Sequence, residues 1–186
     1  MEGAQGPRIE PGGRRQIGWV NTAIVRVMGL ATGGRPPNVV TTLARHRGLF
    51  RRWLWFASAL MPGGKLPRVD TELVILRVAH NTGSEYEWGH HERLGKRAGL
   101  SPEQIAAVRT GPAADGWSER QQLLLLAVDE LHADRRIGDA LWARLSRQLD
   151  EVRLVELCML IGHYEMLAMT LNSLGVEPEH PRYRLG

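Results

Sequence analysis

The chain has 186 residues, 43% of them hydrophobic and 24% charged, with a formal net charge of +4. That size and balance suit one soluble globular domain with a sizeable core, and they exclude a disordered or collagen-like chain. No apolar run reads as approaching the ~18 residues of a membrane span, and the N-terminus MEGAQGPRIEPGGRR lacks the apolar segment of a secretory signal. A cytoplasmic protein with no membrane partner is expected. The single cysteine, Cys158, excludes an internal disulfide framework and reads, within VELCMLIG, as a buried small hydrophobe. Charge is uneven: residues 1–69 carry eleven Lys/Arg against two Asp/Glu, and residues 70–186 carry thirteen against eighteen. The basic residues are dispersed over helix faces without a nucleic-acid-binding motif. They read as solvated surface with charge complementarity between subunits, and attraction of an anion second.

Residues 1–13, rich in Gly and Pro, read as a flexible arm, and residues 14–186 as a single domain. A helix is predicted over Arg14 to Leu30 from the spacing of Ile17, Val20, Ile24, Val27 and Met28. The run Thr32-Gly33-Gly34-Arg35-Pro36-Pro37 is a loop, after which Asn38 is placed as the cap of one long helix to Met61. Trp53, Trp55 and Phe56 exceed what one buried face of that helix needs; core packing is the first reading of them, and a subunit contact or a pocket wall for some of them is the second. After Pro62–Pro67, Asp70 reads as the N-cap of an apolar helix that ends at Gly83. Ser84 opens the next helix, which is acidic in its first turn (Glu85, Glu87) and basic in its last (Lys96, Arg97).

Ser101-Pro102-Glu103-Gln104 starts a short helix, Ser118 caps another, and Gly138-Asp139 starts a third. Asp150 starts the last long helix, EVRLVELCMLIGHYEMLAMTLNSLGV, apolar nearly all round and therefore central. No segment alternates as a strand does. The predicted class is all-α, with about seven or eight helices.

Chemistry concentrates at the hairpin of the two helices that meet at residues 81–84. Ser84, Glu87 and His91 are spaced i, i+3, i+7 and share a face, and Glu72 approaches from the partner helix. These four are the candidate catalytic residues: a hydroxyl, two carboxylates and an imidazole that titrates near neutrality. Tyr86 and His90, an i, i+4 pair, Trp88, and the mid-helix pair His163 and Tyr164 are candidate substrate-binding residues. Glu87-Trp-Gly-His90 is a Glu-x-x-His spacing, but adjacent histidines differ by about 100° on a helix and rarely ligate one ion, so no metal is expected.

The sequence ELVILRVAHNTGSEYEWGHHERLGKRAGLSPEQI resembles the carboxymuconolactone decarboxylase and alkylhydroperoxidase D-like superfamily, and the likeness continues in DELHADRRIGDALWARL and LIGHYEMLAMTLNSLGVE. It spans roughly residues 40–177. The resemblance implies an all-helical bundle that assembles as a dimer, trimer or hexamer. The peroxidase branch carries Glu, eleven residues, Cys, two residues, Cys, three residues, His; here those positions are Glu72, Ser84, Glu87 and His91. Both cysteines are replaced, and neither Ser nor Glu can supply the attacking or resolving thiol of a dithiol peroxidase. The decarboxylase branch implies a cofactor-free acid/base enzyme, a lyase or isomerase, acting on a small carboxylated lactone or keto acid, with an anionic carboxylate as its partner. The alternatives are a peroxiredoxin-like antioxidant protein, as the family label has it, and a non-catalytic oligomeric binding protein.

Overall fold

The computed structural model describes residues 6–31 and 34–179; the first five residues of the expected arm and loop residues 32 and 33 lie outside it. The described residues are helical with no strand, in nine helices: α1 (Arg14–Ala31), α2 (Asn38–Leu43), α3 (Arg47–Leu60), α4 (Arg68–Asn81), α5 (Glu85–Ala98), α6 (Pro102–Thr110), α7 (Glu119–Asp134), α8 (Asp139–Gln148) and α9 (Glu151–Leu174). The all-α class is as expected. The single long helix expected over 38–61 is instead two, with Pro37 at the N-cap position in place of Asn38. Residues 44–46 between them form a turn braced by a side chain: Asn21, fully buried, donates to Ala44 O in the turn at 3.2 Å and to Arg47 O at the start of α3 at 3.4 Å.

The chain divides into two units, residues 1–59 with 170–186, and residues 60–169. The core of the first is Ile17, Val25, Val40, Ala44 and Phe50. Within it Arg8 N donates to Leu174 O and Gly12 N to Thr41 O.

The second unit holds the α4–α5 hairpin. Nine residues of α4 are buried, Asp70 to Leu76 among them, and a core of Leu73, Leu76, Leu100, Ile105, Val108 and Leu125 packs around it. Asp70 is not the cap of α4, which starts two residues earlier with Pro67 at its N-cap position. Its carboxylate instead accepts from Arg120 Nε at 2.8 Å, a partner fifty residues away. Two glycines set the hairpin. Gly83 takes φ 62, the left-handed turn conformation that glycine adopts at no steric cost. Gly95 lets α5 approach α4 closely: a Cβ there would stand 3.4 Å from Leu76 Cδ1 and 3.8 Å from Glu72 Cβ. Ser101 and Ser118 cap α6 and α7 in reciprocal capping boxes with Gln104 and Gln121.

α9 corrects the expectation that no segment is long and apolar enough to span a membrane. Its 24 residues pass that test by length and composition, with 56% of the most apolar stretch buried in the fold. Leu157, Leu160 and Ile161 are fully buried, and His163, Tyr164 and Glu165 are buried with them. α9 is the core helix the sequence leads one to expect, and it brings polar groups into that core.

Candidate functional site

Glu72, Ser84, Glu87 and His91 are all buried, Glu72 completely. Glu72 projects from the second turn of α4. Its Oε2 lies 2.7 Å from His91 Nδ1 on α5. Its Oε1 lies 2.7 Å from the Arg68 guanidinium, one turn back on the same helix, but off the hydrogen-bond line, so Arg68 contributes charge there without a directed bond. A carboxylate only accepts, so His91 Nδ1 carries the proton and donates it, and the neutral ring keeps its lone pair on Nε2. Burial holds the His91 pKa below the ordinary histidine value, although Glu72 pulls the other way. Tyr164 of α9 meets His91 edge to face, with ring centroids 5.1 Å apart. The Tyr164 hydroxyl reaches Met61 Sδ at 3.8 Å, and burial, with the charges of Glu72 and Glu87, raises its pKa.

Glu87 is the least satisfied group of the cluster. Neither carboxyl oxygen has an aligned hydrogen-bond partner among the described residues, and Ser84 Oγ has none either. Burial pushes the Glu87 carboxyl up to about 8; the nearby Ser84 hydroxyl partly offsets this, and the Glu165 charge adds to it. At neutral pH the site therefore holds a protonated carboxyl and an unprotonated imidazole, a ready acid beside a ready base. Pairs whose environments push their protonation apart in this way are the signature of acid/base sites.

His163 is buried, its pKa lowered by burial to about 4, and its ring lies edge to face with Tyr164 at 5.2 Å. Tyr86 stacks on His90 at 4.7 Å, and His90 Nδ1 lies 3.3 Å from Arg93. Trp88 packs against the Leu73–Leu125 core with the Arg109 guanidinium 3.9 Å over its ring. Glu87 and His90, despite their spacing, are thus directed to different surroundings.

Two participants escaped the sequence reading. Arg68 had a usable signal, its i, i+4 spacing to Glu72. Glu165 had only the oddity of a carboxylate inside an apolar helix. It is buried, and its Oε1 lies 2.7 Å from Nδ1 of His132 on α7. A cavity of about 270 Å³ lies beside it, lined by Arg135, Cys158, Gly162, Glu165 and Met169 among others. None of Glu72, Ser84, Glu87 or His91 lines that cavity. Cys158 is half-buried, and burial raises its thiol pKa, which opposes thiolate formation.

Residues 47–130, which include the whole hairpin, match the Carboxymuconolactone decarboxylase family. That match agrees with the resemblance of the hairpin sequence to the carboxymuconolactone decarboxylase and alkylhydroperoxidase D-like superfamily. Its fold is shared with solved structures of low identity. An uncharacterized peroxidase-related protein from Ralstonia eutropha JMP134 with an alkylhydroperoxidase AhpD core superposes with a TM-score of 0.84 at 16% identity, over 97% of this chain and 96% of that one. An uncharacterized peroxidase-related protein from Silicibacter sp. TM1040 gives 0.83 at 15%, over 98% of each chain. A cysteine-to-alanine variant of the debrominase Bmp8, in complex with 2,3,4-tribromopyrrole, gives 0.77 at 14%, over 92% and 91%. No protein of curated function matches the sequence. At these identities the superfamily likeness carries the fold, and the chemistry has to be argued from the site itself.

Proposed function

We propose that the chain is a cofactor-free acid/base enzyme, of decarboxylase or isomerase type, acting on a small carboxylated lactone or keto acid. The observation that carries this reading is Glu87: a buried, protonated carboxyl with no aligned hydrogen-bond partner among the described residues and only the Ser84 hydroxyl nearby, beside a histidine fixed by Glu72. Buried polar groups are normally hydrogen-bonded. A substrate oxygen seated between Ser84 and Glu87 would supply the missing partner. Arg68, still 39% exposed, favours an anionic substrate.

In a decarboxylation, the bond to the leaving carboxylate breaks and its electron pair passes through the adjacent carbon to the carbonyl oxygen. That oxygen takes the Glu87 proton as CO₂ departs. The enol then returns to the keto form: its carbon takes a proton passed from water through His91 Nε2, and its oxygen gives one back to Glu87. The net change consumes one proton and needs no redox partner. The substitution of both peroxidase-type cysteines by Ser84 and Glu87 supports this reading over a dithiol peroxidase.

The test is to assay the purified protein on carboxylated lactones and β-keto acids for CO₂ release, with a peroxide control. Glu87→Gln and His91→Ala should each lower turnover by ~10²-fold or more, the usual contribution of a positioned proton donor or acceptor. Full activity in both variants would overturn the assignment, and so would inertness of the wild type toward every such substrate.

A further inference from the structure

Surface helices normally turn charged residues to water. α9 does not. From Val152 to Met169 its exposed residues are Val152, Val155, Met159, Gly162, Met166 and Met169, and no charged residue stands among them. The five side chains are 48–64% exposed, and a Cβ added at Gly162 would meet nothing within 4 Å. The steps between the six positions are three, four, three, four and three residues, the spacing of a seam between paired helices.

We propose that this seam is where a second copy of the chain docks, α9 against α9 in antiparallel order about a two-fold axis. The order of residue sizes argues for a second copy over any other occupant. Reversing one helix about the point midway between Met159 and Gly162 sets Val152 opposite Met169, Val155 opposite Met166, and Met159 opposite Gly162. Each large residue at the centre thus faces the notch left by a glycine. An interface of this kind must be self-complementary, and a glycine lets two helices approach closely. Five side chains exposed to this degree present on the order of 400 Å² of apolar surface per copy, about 800 Å² for the pair. That is the apolar centre of a contact, which the residues flanking the seam must extend to the ~1,000 Å² of a specific interface. Gly162 and Met169 also line the cavity beside Glu165, so the docked copy forms one of its walls.

Sedimentation equilibrium at micromolar concentration should give an assembly of at least twice the 20.8 kDa chain mass. Met159→Glu and Gly162→Leu should each at least halve that mass with helical circular dichroism unchanged, since leucine favours helix over glycine. In a Cys158→Ser background, Val155→Cys and Met166→Cys proteins mixed and oxidised should cross-link to each other and not to themselves. Two copies of residue 155 would stand about 16 Å apart along an antiparallel pair, beyond disulfide reach. A monomeric wild type, an assembly mass indifferent to both substitutions, or self-linking of the Val155→Cys protein would each overturn the proposal. Monomeric protein floating with phosphatidylcholine vesicles would overturn it too, in favour of a lipid-facing seam.

Discussion

Glu87 makes a quantitative prediction that requires no substrate. Its carboxyl titrates at about 8 in the folded chain, against 4.5 for an unburied one. Between those two values the folded protein holds a proton that the unfolded chain has released. Stability is therefore complete below the unfolded value, falls as pH rises, and levels off above the folded one. Each unit is worth about 1.4 kcal/mol, so the loss reaches ~3 kcal/mol at neutrality and ~5 kcal/mol once the folded carboxyl ionises. Glu87→Gln keeps the size and the neutral state but cannot ionise.

Other titrating groups, His91 and His163 among them, act alike in both proteins and cancel in the difference. Urea denaturation of wild type and variant at a series of pH values gives that difference directly. The variant should gain on the wild type by about 1.4 kcal/mol per pH unit from about pH 5 to about pH 8, and the gap should then stay constant. Parallel stability curves, with a gap independent of pH, would show that Glu87 is ionised in the fold. The acid role assigned to it would then fail.

Two further outcomes are expected. In proton NMR the His163 ring should titrate near 4; because the fold keeps it neutral while the unfolded chain protonates below about 6.5, acidification from neutrality to about pH 4 should remove up to ~3 kcal/mol of stability. Thiol-dependent peroxide turnover should be absent, and Cys158→Ser should leave the rate with peroxide unchanged, because the half-buried thiol has a raised pKa and the chain has no second cysteine to resolve it.

The hairpin and its polar face were legible in the sequence because they depend on local spacing. Ser84, Glu87 and His91 share a face on any α-helix, and a turn at Gly83 returns the chain toward Glu72. What could not be read was settled by residues remote in sequence. Nothing in Ala44-Arg45-His46 breaks a helix; the break between α2 and α3 is held by Asn21, more than twenty residues earlier. Asp70 has the composition of a cap, but Arg120 claims it. Glu165 lies in an apolar run, and its influence on Glu87 exists only once α9 packs beside α5. The apolar character of α9 was visible as well. The sequence could not separate the share that fills the core from the share that remains on the surface.

The position of Glu87 in α5 sharpens the argument for its role. With Ser84 at the N-cap, Glu87 is the third residue of the helix, where the helix dipole and free backbone N–H groups favour a negative charge. That effect is worth ~0.3–1 kcal/mol, and up to ~2 kcal/mol in partly buried geometries. A rise from 4.5 to about 8 corresponds to ~5 kcal/mol in the opposite direction. Burial therefore outweighs the helix end severalfold, and the Glu165 charge acts in the same direction as burial. An ionised carboxylate at this position would suit a nucleophile or a cation site. A carboxyl kept neutral against a favourable dipole suits proton donation to an oxygen on which charge develops. The same balance makes Glu165 the residue that biases the acid from a distance: Glu165→Gln, which removes that charge while leaving Ser84 and His91 in place, should move the Glu87 titration downward.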